Sequence, residues 1–365
     1  MTDLAYILFG DDMKRKKLFC IRKILQLLFA VLAIIICLRY GTECSRGILN
    51  GILFCIEILV PSLFLLMTIA AYLVKSGIAE TVAKPLNGIS KALFRLPYPS
   101  LAVILLALVG GYPVGARCAA MMTERGMLSE KQAQKTAMIA VCAGPGFLVN
   151  FIGRALLGSP EAGILLLIAE VLATIVTGMI IGRAVKSEIT PPKRTAPHEN
   201  THLLTASVAD ASRSTFHMCA MVVLCSAMIE VLTAVSPDRG LTAILSAVLE
   251  ITSGCAVLCG QYPLALIAFF IGFGGISVHL QIFAAADSLK LNVWLFFLYR
   301  IIQGIIASAA AYTLLLIFPI EVRVFNSAEL PLTVAKSATL IGSSALVICS
   351  MLFSASVTKL SKRDS

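Results

Sequence analysis

Charge is scarce in this sequence: only 14% of its 365 residues are Asp, Glu, Lys or Arg, whereas 58% are hydrophobic and the mean hydropathy is +0.92. Soluble globular domains carry about 25% charged residues, so a soluble enzyme or binding domain is excluded. The sequence also lacks the alternation of apolar and polar residues that is typical of membrane barrel strands. We therefore predict an all-α polytopic membrane protein.

Motifs for catalysis are lacking as well. The sequence has no Walker loop, no Ser-His-Asp pattern and no His-Glu-x-x-His pattern. Its 11 cysteines are scattered through apolar stretches without the spacing of a zinc, haem or iron–sulfur site. We expect no enzyme activity, no metal and no cofactor. The net charge of +10 lies mostly between apolar stretches, where it sets membrane orientation and does not indicate nucleic-acid binding.

What the sequence does contain is about eight to ten apolar segments, and a helix needs about 20 such residues to cross the hydrocarbon core. They lie near residues 18–38, 48–74, 100–122, 137–157, 162–182, 214–235, 241–259, 262–286, 292–318 and 336–358. A basic cluster from Lys14 to Lys23 precedes the first segment, so the positive-inside rule predicts a cytoplasmic N-terminus. No small-residue cleavage pattern follows this segment, which favours an uncleaved helix over a secretory signal.

A polar, proline-containing segment divides the chain into two repeat-like halves. The predicted parts are an N-terminus with a first helix at 1–47, a first half at 48–185, a cytoplasmic linker at 186–213, a second half at 214–318, and a last helix and tail at 319–365. Gly110-Gly111 aligns faintly with Gly274-Gly275, and each half ends in a span with one internal charge. These charges, Glu170 and Arg300, would pair across the interface if their role is structural. Internal repeats are the usual construction of secondary transporters.

Glycine pairs and one Gly-Pro-Gly sequence break these apolar segments. A break at membrane depth is tolerated only where the unwound backbone lines a protein-buried or watery site, and transporters bind their substrates at such breaks. The basic residues of the neighbouring loops can all lie on the cytoplasmic side only if the segment at 100–122 enters and leaves the membrane on the same face. The same reasoning applies to 262–286. We therefore predict broken or re-entrant helices at both places.

Helices that restart after a break present free N–H groups to an anion. Arg117 and Arg154 follow two of the breaks and would suit a small dicarboxylate, unless they only extend to lipid headgroups. Glu250, His279 and Gln281 add polar groups within apolar segments, where ionisable residues mark functional sites. The predicted substrate-binding residues are Gly110, Gly111, Tyr112, Pro113, Arg117, Gly144, Pro145, Gly146, Asn150, Arg154, Glu250, Gly274, Gly275, Ser277, His279 and Gln281.

Five motifs in order resemble the YlbJ-type sporulation integral membrane proteins, which belong with the nucleoside-recognition, or Gate, domain membrane proteins. The motifs are Gly110-Gly-Tyr-Pro-Val-Gly-Ala-Arg117, Gly126-Met-Leu-Ser-Glu-Lys-Gln-Ala133, Gly144-Pro-Gly-Phe147, Leu249-Glu-Ile-Thr-Ser-Gly254 and Phe273-Gly-Gly-Ile-Ser-Val-His-Leu-Gln281. The resemblance covers about residues 48–318. It implies a carrier that moves dipicolinic acid, a flat pyridine dicarboxylate, across the outer forespore membrane.

The leading hypothesis is a secondary carrier of a small anionic metabolite, dipicolinate, in the lipid bilayer of the cell membrane. Its coupling ion would be a proton or sodium. One alternative is a carrier of nucleosides or other uncharged solutes, which would use Asn150, Glu250, Gln281 and Gln303 as hydrogen-bonding groups. The other is a sporulation membrane scaffold that transports nothing and uses its glycines for close helix packing.

Overall fold

The computed structural model describes residues 21, 23–185 and 202–320, and the regular structure within these residues is entirely helical. The helices are α1 (Lys23–Arg39), α2 (Gly41–Phe54), α3 (Val60–Lys75), α4 (Ile78–Ala83), α5 (Asn87–Phe94), α6 (Tyr98–Gly110), α7 (Tyr112–Glu124), α8 (Glu130–Ile139), α9 (Pro160–Ala184), α10 (Leu203–Val235), α11 (Arg239–Leu249), α12 (Ile251–Leu258), α13 (Leu264–Phe273), α14 (Gly275–Ala285) and α15 (Val293–Ile317), with π-helices at Cys55–Leu59 and Gly146–Leu156 and 3₁₀ turns at Lys84–Leu86 and Asp287–Leu289. The apolar segment predicted at 336–358 and most of the predicted linker lie outside the described residues.

Among the described residues, four helical stretches are long and apolar enough to cross a membrane: α9, α10, Leu264–Ala285 and α15. Two bent helix pairs raise this number to six if each pair is counted as one span. The bend is 93° between α1 and the stretch Gly41–Leu59 that contains α2, and 77° between α3 and the helices that follow it. The predicted all-helical membrane fold with broken helices is confirmed. The apolar segments near 100–122, 137–157 and 241–259 are pairs of shorter elements.

The first break reverses the chain. Gly111 has φ +87°, a conformation that only glycine adopts readily. A Cβ built on Gly115 would lie 2.9 Å from the Cβ of Ala107, although an uninterrupted helix would separate residues eight apart by about 12 Å. Helices α6 and α7 therefore form an antiparallel hairpin, as the sequence predicts for 100–122.

The second hairpin lies at a different place from the predicted one. A Cβ on Gly254 would lie 2.7 Å from the Cβ of Ala247, so α12 folds back on α11 around Glu250. At the predicted place, 262–286, the chain has a break at Gly274 but continues as one stretch long enough to span. The prediction of a hairpin there is wrong, because a glycine with positive φ permits a bend without requiring a reversal.

The order of elements repeats between the two halves. Each half contains a helical hairpin, then a broken helix, then a long helix: α6–α7, α8 with the π-helix at Gly146–Leu156, and α9, followed later by α11–α12, α13–α14 and α15. Gly110-Gly111 thus corresponds in position to Leu249-Glu250 and not to Gly274-Gly275. The predicted alignment of the two halves is therefore out of register. It paired two Gly-Gly sequences that have the same backbone freedom but lie in different elements of the repeat.

Glycines set the closest helix contacts of the fold. A Cβ on Gly272 in α13 would lie 2.8 Å from the Cα of Gly304 in α15, and one on Gly47 in α2 would lie 2.6 Å from the Cα of Ala227 in α10. Small residues bring helix backbones together in membrane proteins. These contacts hold α13 against α15 and α2 against α10, which fixes the frame around the two hairpins.

The hairpin at Glu250 predicts a stability difference between two glycine-to-alanine substitutions. Gly254→Ala should lower the apparent Tm, because the added methyl group meets Ala247 and overpacking costs roughly 1–3 kcal/mol. Gly88→Ala is the matched control, since nothing lies within 4 Å of its added Cβ. Thermal unfolding of the detergent-purified protein, followed by fluorescence-detected size exclusion, measures both. Equal Tm values would contradict the hairpin packing.

Candidate functional site

Within each half, the hairpin turn packs on the break of the following helix. A Cβ on Gly144 would lie 3.2 Å from the backbone N of Gly111, and one on Gly275 would lie 3.1 Å from the backbone N of Ile251. Tyr112 then joins the halves, because its hydroxyl donates a 2.7 Å hydrogen bond to the carbonyl of Ile271 in α13. The interrupted backbones of both halves therefore meet in one region.

A pocket of about 40 Å³ lies where these breaks meet, and we call it the inner pocket. Helices α3 and α10 complete its wall with apolar side chains, among them Met218 and Val222. These two residues lie 15 and 19 positions from the start of α10, or roughly 23 and 29 Å along a helix. The inner pocket is thus near the middle of the 33-residue α10. Its lining includes six of the predicted residues: Gly111, Tyr112, Pro113, Gly144, Glu250 and Gln281.

Glu250 is the acidic group of the inner pocket among the described lining residues. Its side chain is 1% exposed, and its carboxylate accepts hydrogen bonds from the backbone N–H groups of Thr252 (2.9 Å) and Ser253 (2.6 Å). The carboxylate thereby caps α12, satisfying N–H groups that a helix start leaves free. Gln281 donates a 3.2 Å hydrogen bond to Ser277, one turn earlier in α14.

A second cavity, of about 300 Å³, adjoins the inner pocket, and we call it the vestibule. The two cavities share Pro113, Met218 and Gln281 in their linings, so they adjoin, and we call the two together the passage. Arg213 at the outer end is exposed, whereas Gln281 at the inner end is 4% exposed. The vestibule therefore leads from the surface near the start of α10 towards the breaks. Its volume is at the lower end of the roughly 300–1,000 Å³ typical of small-molecule sites.

Charged groups of α7 and α10 line the vestibule. Arg117 donates to the Oδ1 of Asp210 from Nη2 at 3.0 Å and from Nε at 3.2 Å. Arg213 and His217 lie on the same face of α10 as Asp210, at spacings of three and seven residues. Two arginines face one aspartate, so the lining is net basic. The Nε2 of His217 is buried and has no hydrogen-bond partner among the described residues.

Sequence reasoning did not select Asp210, Arg213 or His217. Asp210 and Arg213 fall in the region predicted as a cytoplasmic linker, whereas the structure begins α10 at Leu203. The signal that was available is their helical spacing, which places three ionisable side chains on one face just before an apolar segment. Arg117, which was selected, does line the vestibule.

Arg300 satisfies backbone carbonyls at breaks in both halves. Its side chain is 1% exposed and donates to the carbonyls of Val141 (2.8 Å), Phe273 (3.2 Å) and Gly272. Val141 follows α8 in the first half, while Gly272 and Phe273 end α13 in the second. One guanidinium thus replaces helical hydrogen bonds that the two breaks remove.

Glu170 is linked to Arg300 indirectly. Gln303 accepts from Arg300 Nη1 at 2.7 Å and donates to the Oε1 of Glu170 at 3.0 Å and to Thr174 at 3.1 Å. In the described part of the chain, no ion pair within 4.0 Å joins the two charged groups. The predicted pairing across the interface between the halves therefore runs through the amide of Gln303, which the sequence analysis named only for the uncharged-solute alternative.

His279 does not line either cavity. Its Nε2 lies 2.8 Å from the carbonyl of Phe273, and its ring centroid lies 4.8, 5.3 and 4.6 Å from the rings of Phe273, Phe296 and Phe297. Because a carbonyl only accepts, Nε2 carries the proton and donates. His279 and Gln281 are two residues apart on a helix and so point about 200° apart. Only Gln281 faces the passage.

The remaining predicted residues divide into two groups. Gly110, Pro145, Gly146, Gly274, Gly275 and Ser277 lie at the breaks or next to residues that line the inner pocket. Asn150 and Arg154 are exposed on the π-helix at Gly146–Leu156, and the structure does not bring them to the passage. The exposure of Arg154 agrees with the alternative that it extends to lipid headgroups.

Comparison with known proteins gives one informative match, since neither a protein-family model nor a solved structure matches the chain significantly. The sporulation integral membrane protein YlbJ of Bacillus subtilis (strain 168) is 24% identical to the chain over 310 residues, which cover 72% of this chain and 75% of the relative. The chain is therefore similar to a YlbJ-type integral membrane protein. The resemblance found in the five motifs is confirmed, and so is the membrane location.

The Arg300 contacts predict a large stability cost for a substitution in this fold. Arg300→Met should lower the apparent Tm markedly, because it removes the side-chain donor of the Gly272 carbonyl and of the Gln303 Oε1, and each buried unsatisfied group costs about 1–3 kcal/mol. The carbonyls of Val141 and Phe273 each lose one of two side-chain donors, since Gln303 and His279 remain. Arg154→Met is the matched control, since Arg154 is exposed. Thermal unfolding in detergent compares the two variants. Each kcal/mol of lost stability lowers the Tm by about 2–4 °C. A Tm for Arg300→Met within about 2 °C of wild type would therefore contradict this role.

Proposed function

We propose that this protein is a secondary carrier of a small anionic metabolite, with dipicolinate as the substrate that the YlbJ-type resemblance suggests. The observation that carries the proposal is the meeting of interrupted helices from both halves at one buried pocket. Interrupted backbone at membrane depth is stable only where protein buries it or a cavity satisfies it. Secondary transporters bind their substrates at such a junction between repeats.

The lining of the vestibule supports an anionic substrate. Arg117, Arg213 and His217 face a cavity that contains one carboxylate, that of Asp210. A guanidinium group recognises a carboxylate with two parallel hydrogen bonds, which gives both orientation and affinity. A flat dicarboxylate offers two such groups, one for each arginine.

The difference in size between the two cavities supports alternating access. The vestibule measures about 300 Å³ and the inner pocket about 40 Å³, so a solute in the vestibule advances only if the hairpins separate. The hairpin tips at Gly111 and Glu250 face each other across this pocket, while α9 and α15 pack together behind it. Movement of the tips against this frame would carry the solute past the breaks, driven by a proton or sodium gradient.

Transport of dipicolinate is testable in proteoliposomes. The purified wild-type protein should accelerate entry of sodium dipicolinate above protein-free vesicles. Arg117→Gln should reduce the initial rate at least tenfold, because losing one charged partner of a bound carboxylate costs roughly 2–5 kcal/mol. Arg154→Gln is the control and should retain the wild-type rate. Wild-type vesicles that are no more permeable than protein-free vesicles would refute the proposal.

An uncharged solute is the second candidate, and the inner pocket itself favours it. The described lining of that pocket has Tyr112, Glu250, Thr252 and Gln281 as residues with polar side-chain groups and no basic side chain. Such a set would hydrogen-bond the hydroxyl and amide groups of a nucleoside.

Competition separates the two substrate classes. Under the anion proposal, excess unlabelled dipicolinate or another dicarboxylate should suppress dipicolinate uptake, whereas excess uridine should leave it unchanged because uridine carries no carboxylate for Arg117. Uptake of labelled uridine, inhibited by uridine and not by dicarboxylates, would favour the uncharged class. Transport of neither solute, with normal sporulation after substitution of Arg117 and Glu250, would favour the membrane scaffold.

A further inference from the structure

The vestibule already contains a carboxylate at the position where an anionic substrate would bind. Two nitrogens of Arg117 donate to the same oxygen of Asp210, at 3.0 and 3.2 Å. The Asp210 side chain is 10% exposed and that of Arg117 is 32% exposed, so the carboxylate of this ion pair is better shielded from water than the guanidinium. Both residues line the cavity. One of the two arginines of the vestibule is therefore already paired with a carboxylate of the protein itself.

Asp210 has a second cationic partner on another helix. Its Oδ2 lies 3.3 Å from the Nζ of Lys75 in α3, which also donates a 2.8 Å hydrogen bond to the carbonyl of Ala206 in α10. If Arg117 turned away, Asp210 would still be paired with the ammonium group of Lys75. Removing one partner of a buried charge is costly mainly when nothing else compensates that charge, and here the second cation lowers the cost.

Other groups of the vestibule are available to a ligand. The buried Nε2 of His217 has no hydrogen-bond partner among the described residues, and the exposed Arg213 lies four positions before it on α10. Glu124, the other acidic partner of Arg117, lies outside the cavity lining, is 56% exposed and contacts Nη1 at a longer distance of 3.4 Å. Among the described lining residues, Asp210 is thus the acidic group that competes with a ligand for Arg117.

We propose that Asp210 is a built-in competitor in a carboxylate-binding vestibule, and that a substrate carboxylate displaces it from Arg117. This inference rests on the proposed transport of a small anion. The displaced Asp210 remains paired with Lys75, while the substrate bonds Arg117 and reaches Arg213 and His217. Because Arg117 is on α7 and Asp210 is on α10, the exchange releases the first hairpin from α10. Binding and loosening of the hairpin are then coupled, since the ligand binds the released state better.

Direct binding tests the competitor role. The Kd of sodium dipicolinate, in the absence of divalent cations, is measured by equilibrium dialysis on the detergent-purified full chain. Asp210→Asn should lower the Kd roughly three- to tenfold, because the substrate no longer competes with an internal carboxylate worth about 1 kcal/mol. Asp210→Glu keeps the charge and should stay within twofold of wild type. Glu124→Gln is the matched control, and it should also stay within twofold.

The outcomes distinguish this inference from the proposed function. If wild type binds dipicolinate and Asp210→Asn leaves the Kd unchanged or raises it, Asp210 positions Arg117 and the competitor role is overturned, while anion transport stands. If wild type does not bind dipicolinate, the proposed substrate fails together with the inference. If Asp210→Asn elutes as an aggregate, Asp210→Ser removes the same carboxylate from a smaller side chain, and the same expected decrease in Kd applies.

Discussion

The fold depends on satisfying backbone groups where helices are interrupted in an apolar environment. Each interruption leaves carbonyls without helical donors, and a buried carbonyl without a donor is costly. Arg300 meets this requirement in both halves by donating to Val141 on one side and to Gly272 and Phe273 on the other. Because one side chain serves two breaks, the breaks are held together, and the inner pocket forms between them.

The same requirement separates buried polar groups that serve the fold from those that are free for a ligand. Glu250 caps α12, Arg300 caps two breaks, and His279 donates to Phe273. These groups are committed to backbone partners. In the vestibule, by contrast, Arg117 is paired with a side chain, and the Nε2 of His217 has no partner within the described part of the chain. Ligand chemistry is therefore concentrated at the approach to the breaks, while the breaks supply the geometry.

Much of the architecture could be predicted from composition and glycine position. Low charge and long apolar segments indicate a helical membrane protein, and Gly110-Gly111 followed by Tyr-Pro indicates the first hairpin. The second hairpin was missed because Glu250 makes its turn with a carboxylate cap, so no glycine pair marks it. Counting loop charges then assigned the reversal to Gly274, where the chain only bends. The structure brings the predicted turn residues to the inner pocket but places Asn150, Arg154 and His279 elsewhere, because side-chain direction depends on helix rotation.

The sequence by itself determined the class of the protein and the breaks that glycine or proline marks, because hydropathy and glycine or proline geometry are local properties. The motifs that surround those breaks also indicated the resemblance to YlbJ-type proteins. Only the tertiary structure decided which breaks meet, since that depends on contacts between residues far apart, such as Tyr112 with Ile271 and Arg300 with Val141. It likewise decided that Asp210 occupies Arg117, because the two residues lie on different helices, 93 positions apart in the chain.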